Sequence, residues 1–151
     1  RTGKLRRNFQ GYTDDRAEVL IGLGASSISR FPQGYAQNAP STSAYTKAIR
    51  DGQFSTARGH VFSGEDLLRG RMIERLMCDF AISSEEILTT FDIAPAALDR
   101  MYRDVSAAFP DMLDLHAGGI RIRPEGKPLT RMIARHFDAY DLSKAGHSSA
   151  I

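Results

Sequence analysis

The chain has 151 residues, 42% of them hydrophobic and 25% charged, with a formal net charge of +2. This is the length and balance of one globular domain, and the near-neutral charge gives no general attraction for nucleic acid or an anionic membrane. The single cysteine, Cys78, excludes an internal disulfide framework and a cysteine-ligated cluster built from this chain alone, and it fits a reducing cytoplasm. No apolar run approaches the roughly 20 residues of a membrane span, and no signal-peptide pattern opens the chain.

Residues 1–40 are rich in Gly, Ser, Asn and Gln. One apolar run, 19–23, carries β-branched residues and leads into "GLGASSIS", which predicts a buried strand at about 18–23 followed by a loop. One short strand among polar turns cannot enclose a core, so this quarter of the chain requires a partner.

From Ser41 the signals become helical. "STSAYTKAIRDG" supplies serine caps, an apolar set at Tyr45, Ala48 and Ile49, and a stop at Gly52. "GHVF" (59–62) reads as a short extended link. Ser63 with Asp66 resembles a cap for a helix running to about Phe80. Its Leu68, Met72, Ile73, Leu76, Met77 and Phe80 cover half the circumference and predict several packing neighbours. Ser83 and Glu86 form a capping box for a short helix with Ile87, Leu88 and Phe91. Pro95 opens the next helix, striped by Leu98, Met101, Tyr102, Val105 and Phe109.

Pro110 closes that helix, and "MLDLHAGGIRIRP" predicts a β-hairpin turning at "AGG". A last helix at about 128–141 places Leu129, Met132, Ile133, His136, Phe137 and Tyr140 on one face, before a tail expected to fray. The order helix, short helix, helix, hairpin, helix defines the expected fold class: mainly α with a small β component, as a winged-helix-like module.

A winged helix raises the question of DNA. Its third helix would have to offer cations to phosphates, yet its solvent face carries Asp99, Arg100, Arg103 and Asp104, two charges of each sign. The wing arginines, Arg121 and Arg123, have Asp114 nearby. A solvated face is the better reading, so no nucleic-acid partner is expected.

"GLGAS" (22–26) lacks the full GxGxxG spacing and a following helix, so close backbone packing explains its glycines better than a phosphate cradle. The four histidines lack metal-ligand spacing, and His136 reads as a hydrogen-bonded core residue. Cys78, one turn from Arg75, reads as a packing cysteine rather than an activated thiol. No nucleophile–base arrangement stands out.

"RRNFQGYT", "LIGLGASSISRF" and "YAQN" together resemble one family, the oxygen-independent coproporphyrinogen III oxidases (dehydrogenases), which are radical S-adenosylmethionine enzymes of haem biosynthesis. "MIERLMCDF" and "IRIRPEGKPLTRMIARHFDAY" extend the similarity over nearly the whole chain. "NFQGYT" favours the dehydrogenase over related haem chaperones of the same barrel, which stand as the alternative beside an independent winged-helix nucleic-acid-binding module.

The resemblance implies a C-terminal piece of a larger oxidoreductase. Residues 1–40 would be the end of a missing catalytic barrel with an active-site loop. Residues 41–62 would be a connecting helix and link, 63–142 the winged-helix-like domain and 143–151 a flexible tail. The family's CxxxCxxC motif, which holds its [4Fe–4S] cluster, has no counterpart here. The cluster and S-adenosylmethionine are therefore expected in a full-length enzyme, with neither bound to this fragment and no activity from it alone.

Phe9, Gln10 and Ile28 match family positions beside the cofactor and substrate, and they are the expected cofactor-binding residues; no catalytic or metal-binding residue is expected. Arg6 and Arg7 could attract the carboxylates of coproporphyrinogen III, but solvated surface arginines are the default reading. A further implied partner is the enzyme's own N-terminal barrel; without it, the exposed barrel strand is expected either to be mobile or to pair with a second copy of the fragment. No membrane partner is expected, and the setting is cytoplasmic.

Overall fold

Short strands separated by tight turns dominate the first part of the chain, and capped helices the second. A computed structural model describes residues 4–9 and 11–139. It divides into two units, Lys4–Leu67 and the residues from Leu68 onward.

In the first unit β1 (Arg6–Asn8) and β2 (Gly11–Thr13) form a hairpin with Arg7 opposite Tyr12. Three more strands, β3 (Ile28–Phe31), β4 (Gly34–Asn38) and β5 (Thr56–Val61), make an antiparallel sheet in that order. Between β4 and β5 lies α1 (Thr42–Arg50), whose cap Ser41 accepts from the Ala44 N–H, as "STSAY" predicts.

The strand predicted at about 18–23 does not form. Only Leu20 pairs, as an isolated bridge to Arg30, while Val19, Ile21 and Leu23 are exposed. The apolar run has the propensity of a strand, but beyond Leu20 and Gly22 its backbone finds no second ladder. The ordered sheet uses "ISRF", "GYAQN" and a strand that includes most of the segment read as a short link, now β5. These strands are polar, so hydrophobic runs did not mark them.

Capping chemistry sets the second part. Ser63 donates from its N–H and hydroxyl to the Asp66 carboxylate, at 2.6 and 2.8 Å, before α2 (Gly64–Asp79). The strand β6 (Ala81–Ser83) follows. Ser83 then caps α3 (Ser84–Thr90) by accepting from the Glu86 N–H, and Pro95 opens α4 (Pro95–Ala108). The hairpin β7 (Leu113–His116) and β8 (Gly119–Ile122) forms where predicted, with β8 between β6 and β7.

The predicted helix at 128–141 is shorter. Pro124–Leu129 is a 3-10 segment and α5 spans Thr130–Arg135. Pro128 has no N–H to donate, which keeps that stretch from joining α5 as one α-helix. His136 is exposed beyond the helix, its ring edge-on to Phe109 at 6.2 Å, so it is not the core histidine expected. Tyr140 and the tail lie outside the described residues.

Every buried hydrophobic side chain among the described residues lies between Leu68 and Phe137. Met72 and Leu76 of α2 meet Ile87, Leu98, Val105, Ile120 and Ile133 in one core, with Ile73, Met77 and Phe80 partly buried around it. That is the set of neighbours the wide apolar arc of α2 called for. Each fully buried side chain of this size contributes about 1.5–3 kcal/mol. The first unit has no such core; Gly34 and Ser55 are its buried residues among those described.

An ion-pair network ties α2 to the start of α3. Arg71 Nε donates to Glu86 at 2.7 Å and Arg75 Nε at 2.9 Å, while Arg71 also reaches Glu74 and Arg75 reaches Asp79. Burial pushes the Glu86 carboxyl up, but the hydrogen bonds and charges of Arg75 and Arg71 outweigh it and hold the carboxyl below the usual 4.5. Folding therefore favours ionised Glu86. Its stabilisation is complete above about pH 4.5 and drains as pH falls through the lower folded value. Glu86→Gln is expected to cost about 1–3 kcal/mol near neutrality, because it removes the charge and turns one acceptor oxygen into an NH2 that faces the guanidinium groups. Urea unfolding should show the gap between variant and parent narrowing in acid.

Candidate functional site

One face of the β3–β4–β5 sheet gathers the chemically distinctive side chains. Register places Ile28 opposite Gln37, Arg30 opposite Tyr35, and Tyr35 opposite His60. Directly paired residues share a face, so Ile28, Arg30, Tyr35, Gln37, Arg58 and His60 lie together. Phe9 reaches this face from the neighbouring hairpin, its ring edge-on to Tyr35 at 5.0 Å. Phe62 also meets Tyr35 edge-on, at 4.8 Å. Tyr35 is thus the centre of an aromatic row flanked by cations, a surface on which a flat or apolar ligand can lie.

The glycine-rich loop is fixed against the same strands. The Asn38 amide donates to the carbonyls of Gly22 and Gly24, at 3.1 and 3.0 Å, and the Gly24 N–H donates to the Tyr45 hydroxyl at 3.1 Å. Gln37 donates to the Ser26 carbonyl, and Ser27 to that of Leu23. At Gly22 a Cβ would stand 2.7 Å from the Ile28 carbonyl oxygen, so glycine is required for the loop to approach Ile28. Close backbone packing, as read from the sequence, accounts for this glycine.

Of the expected cofactor-binding residues, Phe9 is 52% exposed and lies against Tyr35. Ile28 begins β3 on the same face and is partly buried, with its backbone close against Gly22. Gln10 lies outside the described residues. Sequence reasoning passed over Tyr35 and Asn38 as working residues. The signal was present in "YAQN", whose Tyr meets Phe9 edge-on and whose Gln and Asn hold the loop.

Other candidates resolve into structure. Cys78 is 3% exposed, as a packing cysteine should be. His60 Nε2 stands 3.3 Å from Asp66, and His116 Nδ1 accepts from the Gly118 N–H within its own turn. No group of three or more metal-ligating side chains occurs among the described residues. The outer face of α4 exposes Asp99, Arg100, Arg103 and Asp104, and Arg123 is paired with Asp114. A cleft of about 410 Å³ lies between α4 and the β7–β8 turn, lined by Ser84, Tyr102 and His116 among others. No helix among the described residues is long and apolar enough to cross a membrane.

No family model matches the chain. Individual proteins do. It is 64% identical over 151 residues to the oxygen-independent coproporphyrinogen III oxidase of Paracoccus denitrificans, covering 100% of this chain and 34% of that one. To the enzyme of the same name from Cereibacter sphaeroides it is 62% identical over 141 residues, covering 93% and 31%. A solved structure, described as coproporphyrinogen III oxidase from Escherichia coli, a radical SAM enzyme, superimposes with a TM-score of 0.84 at 30% identity, covering 92% of this chain and 32% of that one. The resemblance read from "NFQGYT" and "GLGASSIS" therefore holds along the chain, and its counterpart is the C-terminal region of these oxidases. The chain spans about a third of the length of the curated relatives it matches.

Proposed function

We propose that this chain is the C-terminal part of an oxygen-independent coproporphyrinogen III oxidase, where it covers the active site of a radical S-adenosylmethionine barrel supplied by the other two-thirds. The reaction is the oxidative decarboxylation of two propionate side chains to vinyl groups, giving protoporphyrinogen IX. Each conversion removes one hydrogen atom, one electron and carbon dioxide from a propionate. The observation that carries this reading is 64% identity over the whole chain to a protein of that name.

The residues here do not fit an iron–sulfur cluster. The single thiol is buried in the helical unit, and no further ligands gather around it among the described residues. The cluster belongs to the other part, and the isolated chain is inactive. S-adenosylmethionine is a better match for one wall: Phe9, Tyr35 and Ile28 can pack an adenosine or thioether chain, with the Gly22 loop holding Ile28 in place. When bound, that cofactor supplies the hydrogen-abstracting radical. The chain's own contribution is to orient the ligands and exclude water.

Residues 63–142, in this reading, form a winged-helix-like cover, and 1–40 complete the barrel edge. Their role is protein contact rather than nucleic-acid binding, given the balanced charges on α4.

The test is a chimera in which these 151 residues replace the matching third of the Paracoccus relative. After anaerobic cluster reconstitution the chimera should convert coproporphyrinogen III, and the 151-residue chain alone should not. In the chimera, Phe9→Ala with Ile28→Ala should lower kcat/KM about 100-fold, the scale of a misplaced reactant. A silent chimera with an intact cluster, or an unaffected double variant, would overturn the reading of the chain or of the two residues respectively.

A further inference from the structure

A cleft of about 410 Å³ lies wholly within the first unit, and four arginines line it: Arg6, Arg7, Arg16 and Arg30. Arg6 and Arg7 come from the first hairpin, Arg16 from the following loop and Arg30 from the sheet. Its remaining charged lining is Asp15 and Glu18, which leaves a surplus of two positive charges. Among the described residues neither carboxylate neutralises an arginine of the cleft. Asp15 instead accepts from the Ala17 N–H in its own turn, at 2.9 Å. Its apolar lining comes from Val19, Leu20, Phe31 and Phe62 among others.

Arginines without an anionic partner around a partly apolar hollow form a recognition surface for carboxylates carried on an apolar body. Guanidinium groups grip carboxylates with two parallel hydrogen bonds, and the volume lies in the range of about 300–1,000 Å³ typical of small-molecule sites. We propose that this cleft binds carboxylate arms of the tetrapyrrole substrate, so that Arg6, Arg7, Arg16 and Arg30 position the macrocycle. The assignment deepens the function proposed above and rests on it for the identity of the ligand.

The test uses the 151-residue chain and coproporphyrin III, the stable oxidised tetra-acid, followed by porphyrin fluorescence anisotropy. The parent should bind it, with affinity falling as salt rises through about 0.15 M. Arg7→Gln with Arg16→Gln, both exposed positions, should bind at least about ten-fold more weakly with an unchanged melting curve, and the Lys pair should recover part of the loss. Equal binding by parent and Gln variant would place the porphyrin on exposed apolar surface and overturn the proposal, as would no binding by the parent. Displacement by inorganic pyrophosphate would make the cleft a general anion trap and overturn it too. Turnover by the chimera reports separately on the enzyme reading: an active chimera with an indifferent Gln variant sinks only the cleft, and arginine-dependent binding with a silent chimera sinks only the enzyme.

Discussion

Gly119→Ala is expected to destabilise the helical unit by about 3 kcal/mol or more, enough to unfold a marginal domain at ambient temperature. Gly119 opens β8 at φ +138°, a region that side-chain-bearing residues rarely enter. A Cβ there would stand 2.0 Å from the Ile82 carbonyl oxygen and 3.1 Å from the Ser84 nitrogen. Both are backbone atoms, and both belong to the junction where β6 becomes α3. Ser83 pairs with Gly119, and the Ser84 N–H donates to the Gly118 carbonyl at 2.9 Å. Relief would require β6 to move off β8, uncovering Ile82 and Ile120, which are among the most buried side chains. The neighbouring Gly118 is the control. Its Cβ would meet only the His116 ring, at 3.3 Å, which can swing away. Gly118→Ala should change stability by no more than about 1 kcal/mol. Urea denaturation of the two variants decides it; equal, small losses would mean the β6–β8 junction is not held as described.

The helical unit was largely legible in the sequence because each element carries its own local mark. Ser83 with Glu86, Pro95, and the turn at "AGG" all fix boundaries through bonds made within a few residues. Even there β6 was missed: three residues between two helices make too short a run for an alternation to register. The sheet of the first unit was illegible for a different reason. Its strands hold polar and small residues, "GYAQN" and "TARGHV", because no core lies beneath them, so the period-two hydrophobic signal is missing. The apolar run at 19–23 supplied a signal without a ladder. Of the site, Phe9 and Ile28 came from family resemblance rather than pattern. The Tyr35 row and the Asn38 clamp depend on pairing between distant strands, which no local window contains.

Backbone amides of β3, β4 and β5 are expected to exchange with solvent about 100-fold faster, or more, than those of α2, α4 and β8. Exchange protection follows the cost of local opening, and that cost comes chiefly from buried apolar contacts. All such contacts among the described residues lie from Leu68 onward. In the first unit Leu23 is 83% and Phe54 97% exposed, and every residue of β5 is exposed, so opening the sheet releases little buried surface. The outer edge of β5 also leaves backbone donors and acceptors available for pairing. Two partners could cover this unit, and exchange distinguishes them. If the missing two-thirds of the enzyme is the natural partner, protection at 28–38 and 56–61 should rise in the Paracoccus chimera and not depend on protein concentration in the isolated chain. If copies of the chain pair with one another instead, protection in the isolated chain should climb with concentration. Slow exchange throughout both units of the dilute, isolated chain would contradict the argument, because it would require the first unit to be stable without a core.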